Sequence, residues 1–341
     1  MTIYFTVNNI FIKYLSAKIL SRRVKQARKL KEAHTVSQEQ RELINTILAN
    51  APLDLGGDVT EQRIVLHNLL TAHPAPDDVL VSPLTLDGVP ALSIAIAGQE
   101  SEGTILFFHG GVYAMGSAEA SIGLASDLGR RAHMRVVTVE YRLAPENPYP
   151  AAPDDAIAAY RGLLGVEGDS ARIAIAGESA GGGLAIATLV NIRDAGLPIP
   201  FAGVVMSPWV DLAVAGESST TKATIDPALT PSALRTRARD YLGDLDPESP
   251  SVSPIHADLT GLPSLLVQAG SYEILLDDAT RLAAKAASDN VAVTLDITPE
   301  VPHVFQAFAG LLDEGSEALD RAAAFLRTAA TLSTSRPDVI N

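Results

Sequence analysis

The 341-residue chain contains no cysteine. Disulfides, zinc–thiolate sites and a cysteine nucleophile are therefore excluded. The same absence is compatible with a reducing cytoplasm, which is the expected location. No apolar run reaches the roughly 18 residues of a membrane span, so no stable span is expected. Basic residues are outnumbered 26 to 40, and the net charge of −14 argues against nucleic acid as the main partner. There is no internal repeat and no low-complexity linker. What the chain does have is 47% apolar residues, enough for a sizeable core. Its length suits one large α/β domain with a cap, or two smaller domains.

The few basic residues are concentrated at one end. Residues 1–35 carry a net +7, which leaves −21 on the rest of the chain. The opening apolar stretch has no basic region ahead of it and no clear small-residue cleavage site, so it makes a poor signal peptide. A basic amphipathic helix from about Ile10 to Lys31 has three readings. It could touch a membrane surface, pack as part of a cap, or be an extension with no folded role.

Two helices are expected next. Residues 36–50 place Leu43, Ile44, Ile47 and Leu48 on one face, and a second helix runs from Val59 to about Thr71. Val79–Leu86 and Ala91–Ala97 read as a hairpin turning at Asp87-Gly88. Strands and helices then alternate. The strands are Thr104–Phe108, Val136–Tyr141, Ile173–Ala176, Val204–Ser207, Leu265–Ala269 and an edge-like Val291–Ile297. The helices are Ala118–Ala132, Pro150–Leu164, Leu184–Ile192, Ala279–Ser288 and Glu314–Thr331. This order describes an eight-stranded, mostly parallel, doubly wound α/β sheet with helices on both faces. Residues 210–260 are too long for a connection. They read as an insertion with one helix, Pro231–Leu242, above the C-terminal edge of the sheet. The expected division is a cap over residues 1–75, including the basic extension 1–35, and a catalytic domain over 76–335 with the insertion at about 210–260.

The centre of the alternation is Gly177-Glu178-Ser179-Ala180-Gly181, between an apolar strand and an Ala-rich helix. A strand turning sharply into a helix crowds its turning residue, and glycines two positions either side relieve that crowding. Ser179 is left with its hydroxyl exposed at the sheet end. A hydroxyl is a weak nucleophile without a base to take its proton. Of the seven histidines, only His109 and His303 lie on loops beyond strand C-termini, where sheets of this kind place reactive groups. His303 follows the last strand and is the expected base. The acid should follow Leu265–Ala269, where Glu273, Asp277 and Asp278 compete. Glu273 is nearest the strand end and is preferred, with Asp277 the alternative. Asp277 and Asp278 also read as acids at a helix start. Two adjacent glycines after His109 leave the N–H groups of Gly110 and Gly111 to face a ligand. With the N–H of Ala180 they form an expected oxyanion hole, and His109 itself is expected to brace the loop.

These motifs resemble the bacterial hormone-sensitive-lipase-like esterases of the α/β-hydrolase superfamily. The resemblance runs from about residue 40 to 330. It rests on HGGVYAMGS from His109, YRLAPE from Tyr141, PAAPD from Pro150, GESAGG from Gly177, SPWVD from Ser207, and Pro302-His303. It implies an α/β-hydrolase fold with a helical cap, a Ser179–Glu273–His303 triad and hydrolysis of short-acyl esters without a cofactor or metal. The chain departs from the family pattern at Val112, where a third glycine is usual, at Glu178, usually Asp or Thr, and at Glu273, usually Asp. Members similar to monoterpene lactone hydrolases share the Glu. The expected chemistry is an acyl-enzyme route on a small-molecule ester. Lactone or amide hydrolysis by the same triad, or ligand binding without turnover, are the alternatives. The edge-like last strand permits a homodimer.

Overall fold

The continuous apolar runs of the sequence form the middle of one eight-stranded sheet, in the order β1-β2-β4-β3-β5-β6-β7-β8. In this computed structural model, residues 37–72, 75–168 and 172–334 are described. The strands are β1 Val79–Leu86, β2 Val89–Ile96, β3 Thr104–Phe108, β4 Arg135–Val139, β5 Ile173–Glu178, β6 Ala202–Met206, β7 Ser264–Gly270 and β8 Val293–Thr298. β1 and β2 form the expected hairpin, and β2 runs antiparallel to β4. Asp87 and Gly88 both take positive φ, 47° and 86°, as a two-residue turn matching the strand twist requires. All other pairings are parallel. β3 and β6 are buried throughout, whereas β8, last in the sheet order, is only partly covered.

Helices cover both faces, so the central strands need apolar residues on each side. On one face Leu106, Phe108 and Ile175 pack with α4 (Ala151–Glu167), α5 (Ala180–Asp194) and α8 (Leu276–Ser288). On the other, Ile105, Phe107 and Ala176 pack with α3 (Ile122–Ala132) and α9 (Asp313–Thr334). Among the described residues no helix is long and apolar enough to cross a membrane.

Ahead of the sheet, residues 37–49 form α1 and Val59–Leu70 form α2. Asp58 caps α2, accepting from the N–H groups of Thr60 and Glu61. The insertion contains the expected helix, α7 (Pro231–Leu242), with Thr230 as its N-cap. It also contains a four-residue helix, α6 (Ser218–Thr221), and a 3₁₀ turn, Pro254–His256, too short for periodicity to reveal. The basic segment 10–31 and the rest of the extension lie outside the described residues.

Among the boundaries that differ from expectation, two do so for clear local reasons. Helix α3 starts at Ile122 rather than Ala118. The Ala118 N–H is donated to Glu140 and that of Ala120 to Ser117, which holds the segment in a turn. Strand β4 ends at Val139 rather than Tyr141. Tyr141 leaves the sheet to donate its hydroxyl to the His109 carbonyl at 2.7 Å.

Candidate active site

Ser179 is the hinge between β5 and α5, with φ 56° and ψ −123°. An L-residue is strained there. The strain persists because the surroundings leave no alternative. A Cβ on Gly181 would come within 2.1 Å of the Phe108 carbonyl, and one on Gly177 within 2.2 Å of the Gly181 carbonyl. The Ser179 N–H is donated to the Met206 carbonyl across the sheet, at 2.9 Å.

From this hinge a continuous line of hydrogen bonds runs inward. Ser179 Oγ lies 2.9 Å from His303 Nε2, and His303 Nδ1 lies 2.6 Å from Glu273 Oε2. A carboxylate beside Nδ1 makes that nitrogen the donor and leaves Nε2 to accept from the hydroxyl. Glu273 is completely buried. Its other oxygen accepts from the Gly270 N–H at 2.6 Å and from Ser207 Oγ at 2.9 Å. Burial on its own would lower the His303 pKa, but the hydrogen bond and charge of Glu273 outweigh it and hold it above the ordinary imidazole value.

The loop after β3 differs from expectation at one position. The Gly110 N–H is not free: it is donated to Glu178 Oε1 at 2.5 Å. Among the described residues, no protein acceptor meets the N–H groups of Gly111, Val112 or Ala180. Of the expected trio Gly110, Gly111 and Ala180, the geometry therefore takes Gly110 out, and it leaves Val112 beside Gly111 and Ala180 with an N–H able to meet a ligand. The glycine pair marks where the backbone can approach a ligand, but not which N–H a neighbouring carboxylate takes. His109 braces the loop as expected. Its Nδ1–H donates to the Gly110 carbonyl at 2.7 Å, and its ring stacks on Tyr141 at 4.2 Å between centroids. Burial pushes its imidazole down to about 4, against the opposing pull of the Gly110 carbonyl, so it stays neutral at pH 7.

Residues 105–307, more than half the chain, match the family described as alpha/beta hydrolase fold. The chain belongs to that family. Its similarity to an acetyl-hydrolase of Streptomyces hygroscopicus is 47% identity over 226 residues, covering 66% of this chain and 76% of the relative. An esterase of Acinetobacter venetianus is 36% identical over 265 residues, covering 77% of this chain and 87% of the relative. A crystal structure of an esterase from the bacterial hormone-sensitive lipase family superposes with a TM-score of 0.83 at 40% identity. That match covers 86% of this chain and 98% of the other. This α/β-hydrolase is therefore of the hormone-sensitive-lipase-like kind that its motifs resemble.

The competing acids of the hydrolase have other tasks. Asp278 Oδ1 accepts from the N–H groups of Val210 and Asp211, each at 2.9 Å, and Asp277 Oδ2 accepts from Ser218 N at 2.8 Å. Both lie in the first turn of α8 as expected, but they tie the insertion to the body of the molecule. Burial pushes the Asp278 carboxyl up to about 8, although those two N–H donors pull the other way. Neither acid bonds His303. Of the other histidines, His67, His133 and His256 do not line the cavity, and His34 and His73 lie outside the described residues.

Two residues that sequence reasoning missed complete the site. Ser207, fully buried just past β6, donates to Glu273 and accepts from the Val304 N–H at 3.0 Å. It thus connects the loops that carry Glu273 and His303. The available signal was a small hydroxyl residue at the C-terminal end of a central strand, beside the strand leading to the acid. Asp226, in the insertion, accepts from Ile274 N beside Glu273 at 2.8 Å and from the N–H groups of Ala228 and Leu229. Burial raises its carboxyl, with the nearby His303 opposing.

Ser179, His303 and Glu178 open into a cavity of about 300 Å³. Its walls are mostly apolar. Ile47, Leu48, Leu66, Leu69 and Leu70 come from α1 and α2, Leu229 from the insertion, and Phe308 from the segment after His303.

Proposed function

We propose that this chain is a serine carboxylic ester hydrolase that acts on short-acyl esters through an acyl-enzyme. The observation that carries the reading is the unbroken Ser179–His303–Glu273 line opening into an apolar cavity. His303 Nε2 takes the Ser179 proton as Oγ attacks the ester carbonyl. Glu273 holds the imidazole in the accepting tautomer and stabilises it once charged. The N–H groups of Gly111, Val112 and Ala180 receive the oxyanion of the tetrahedral intermediate. His303 then protonates the leaving alcohol. In the second half-reaction it takes a proton from water, whose oxygen attacks the acyl carbon and releases the acid and Ser179.

The acetyl-hydrolase among the relatives supports the short end of the acyl range. Within the same reading the substrate is a small molecule, the unpaired edge of β8 offers a contact to a second copy, and the chain works in the cytoplasm. The test is turnover of p-nitrophenyl esters from acetate to palmitate by the wild type and by Ser179→Ala. Activity that peaks at short chains and disappears in the variant supports the reading. A folded wild type that turns over no ester overturns it and leaves lactone or amide cleavage, or ligand binding.

A further inference from the structure

Helix α2 poses a problem of support. It is 12 residues long and none of its residues is fully buried. A helix of that length is marginal by itself in water. Val59 and Leu66 are only partly buried against the main core, and Ile64 is 60% exposed. Even so, α2 supplies Leu66, Leu69 and Leu70 to the cavity wall. Among the described residues, little apolar burial holds this wall in place.

One side chain on α2 is bonded very differently. Arg63 Nε donates to the Ala114 carbonyl at 2.7 Å, and Nη2 to the Ala144 carbonyl at 2.9 Å. Nη1 and Nη2 also form a bidentate pair with Glu146, at 2.7 and 2.6 Å. The Arg63 guanidinium beside Glu146 holds that carboxyl down at about 2. Ala114 belongs to the turn after the glycine pair, in which the N–H groups of Ala114 and Met115 are donated to the Gly111 carbonyl at 3.0 and 2.9 Å. A planar five-donor fork can satisfy three acceptors at once, which a lysine ammonium cannot do in this geometry.

We propose that Arg63 is a positioning residue for substrate: it latches the α2 wall to the turn that carries the free Gly111 and Val112 N–H groups. The latch fixes the distance between the apolar wall and the reacting carbonyl. It thereby sets affinity for the longer apolar part of an ester. The reading rests on the ester-hydrolase function proposed above. It goes beyond it by naming what holds the specificity wall in register.

The test compares wild type, Arg63→Met, Arg63→Lys and Glu146→Gln on p-nitrophenyl acetate and hexanoate, with amide hydrogen exchange followed in parallel. In Arg63→Met, KM for hexanoate should rise by about tenfold while kcat changes by less than about twofold. Exchange across residues 59–70 should quicken by about tenfold or more, with that of β5 unchanged. Arg63→Lys should recover only part of either effect. Glu146→Gln keeps both carbonyl contacts and should fall between Arg63→Met and wild type. Wild-type KM and exchange in Arg63→Met would overturn the latch. So would equal losses on both esters with faster exchange in β5, which would make Arg63 a general stabiliser. A wild type inactive on both esters would remove the function, while the exchange data would still decide the latch.

Discussion

The floor of the cavity and its wall are built on opposite principles. On the floor, Ser179 and Glu273 are buried and the His303 side chain nearly so, and every polar side-chain atom of these three has a named partner. Ser207 bonds both the acid and the chain beside the base. The wall is apolar and open, with Ile47, Leu69 and Leu70 each more than 40% exposed. Even its two helices differ. α1 is anchored by Ile44, fully buried with Val301, Phe305, Leu312 and Ala318, whereas α2 has Arg63. Proton transfer needs groups held to a fraction of an ångström, which only a fully bonded, strand-end floor supplies. Choice among esters differing by methylenes needs only a few kcal/mol of contact, which a looser wall can give.

Breaking the floor should have the largest effect. Ser179→Ala removes the attacking oxygen, so kcat/KM should fall on the order of 10⁴- to 10⁶-fold with little change in thermal stability. A stopped assay that finds more than a few per cent of wild-type rate would move the nucleophile elsewhere. Glu273→Gln comes next. The amide keeps the shape but removes the charge, and kcat should drop by roughly 10² to 10⁴. It should also shift the pH profile. His303 must be neutral to accept a proton, so activity is lost as pH falls through its pKa. In the wild type that acid limb should lie above the ordinary imidazole value, because Glu273 favours the charged ring. With the charge gone, burial dominates and the limb should move to lower pH. An unmoved limb would mean that Glu273 does not set the basicity of His303.

Ser207→Ala tests whether the floor needs its brace. The Val304 N–H would lose its acceptor and Glu273 Oε1 would keep only the Gly270 N–H. An unpaired buried N–H costs about 1–3 kcal/mol, to be read as a lower melting temperature. A base loop freed to drift should reduce kcat by about tenfold with KM nearly unchanged. A KM effect instead would place Ser207 with the wall.

The same division explains what the sequence could reveal. The central strands were legible because each is a short apolar run, the edge strands by alternation and a turn, and Ser179 because its glycines mark a crowded hinge. His303 followed from its place after the last strand. The roles of Asp277 and Asp278 were not legible, since their partners are backbone N–H groups some 60 residues away in the insertion. The role of Ser207 was hidden for the same reason, its two partners lying 66 and 97 positions away. The glycine spacing found the oxyanion loop. Glu178, reaching across from the neighbouring strand to take the Gly110 N–H, moved the free donors one residue along the chain.

The smallest effect expected is also the one that best separates floor from wall. Leu69 is 41% exposed, lines the cavity and lies well away from Ser179 in the chain. Leu69→Ala removes apolar surface that a long substrate covers and a short one does not. A buried methylene contributes about 0.8 kcal/mol, and partial exposure of this side chain leaves only a fraction of that. Hydrolysis of octanoate should therefore fall about two- to fivefold relative to acetate, with kcat for acetate unchanged. Lengthening the acyl and alcohol parts of the ester in separate series shows which of them lies along α2, because only that series should lose its slope in the variant. Equal loss on acetate and octanoate would mean that the wall reaches the chemistry, and the contrast between a fixed floor and a tunable wall would fail at this residue.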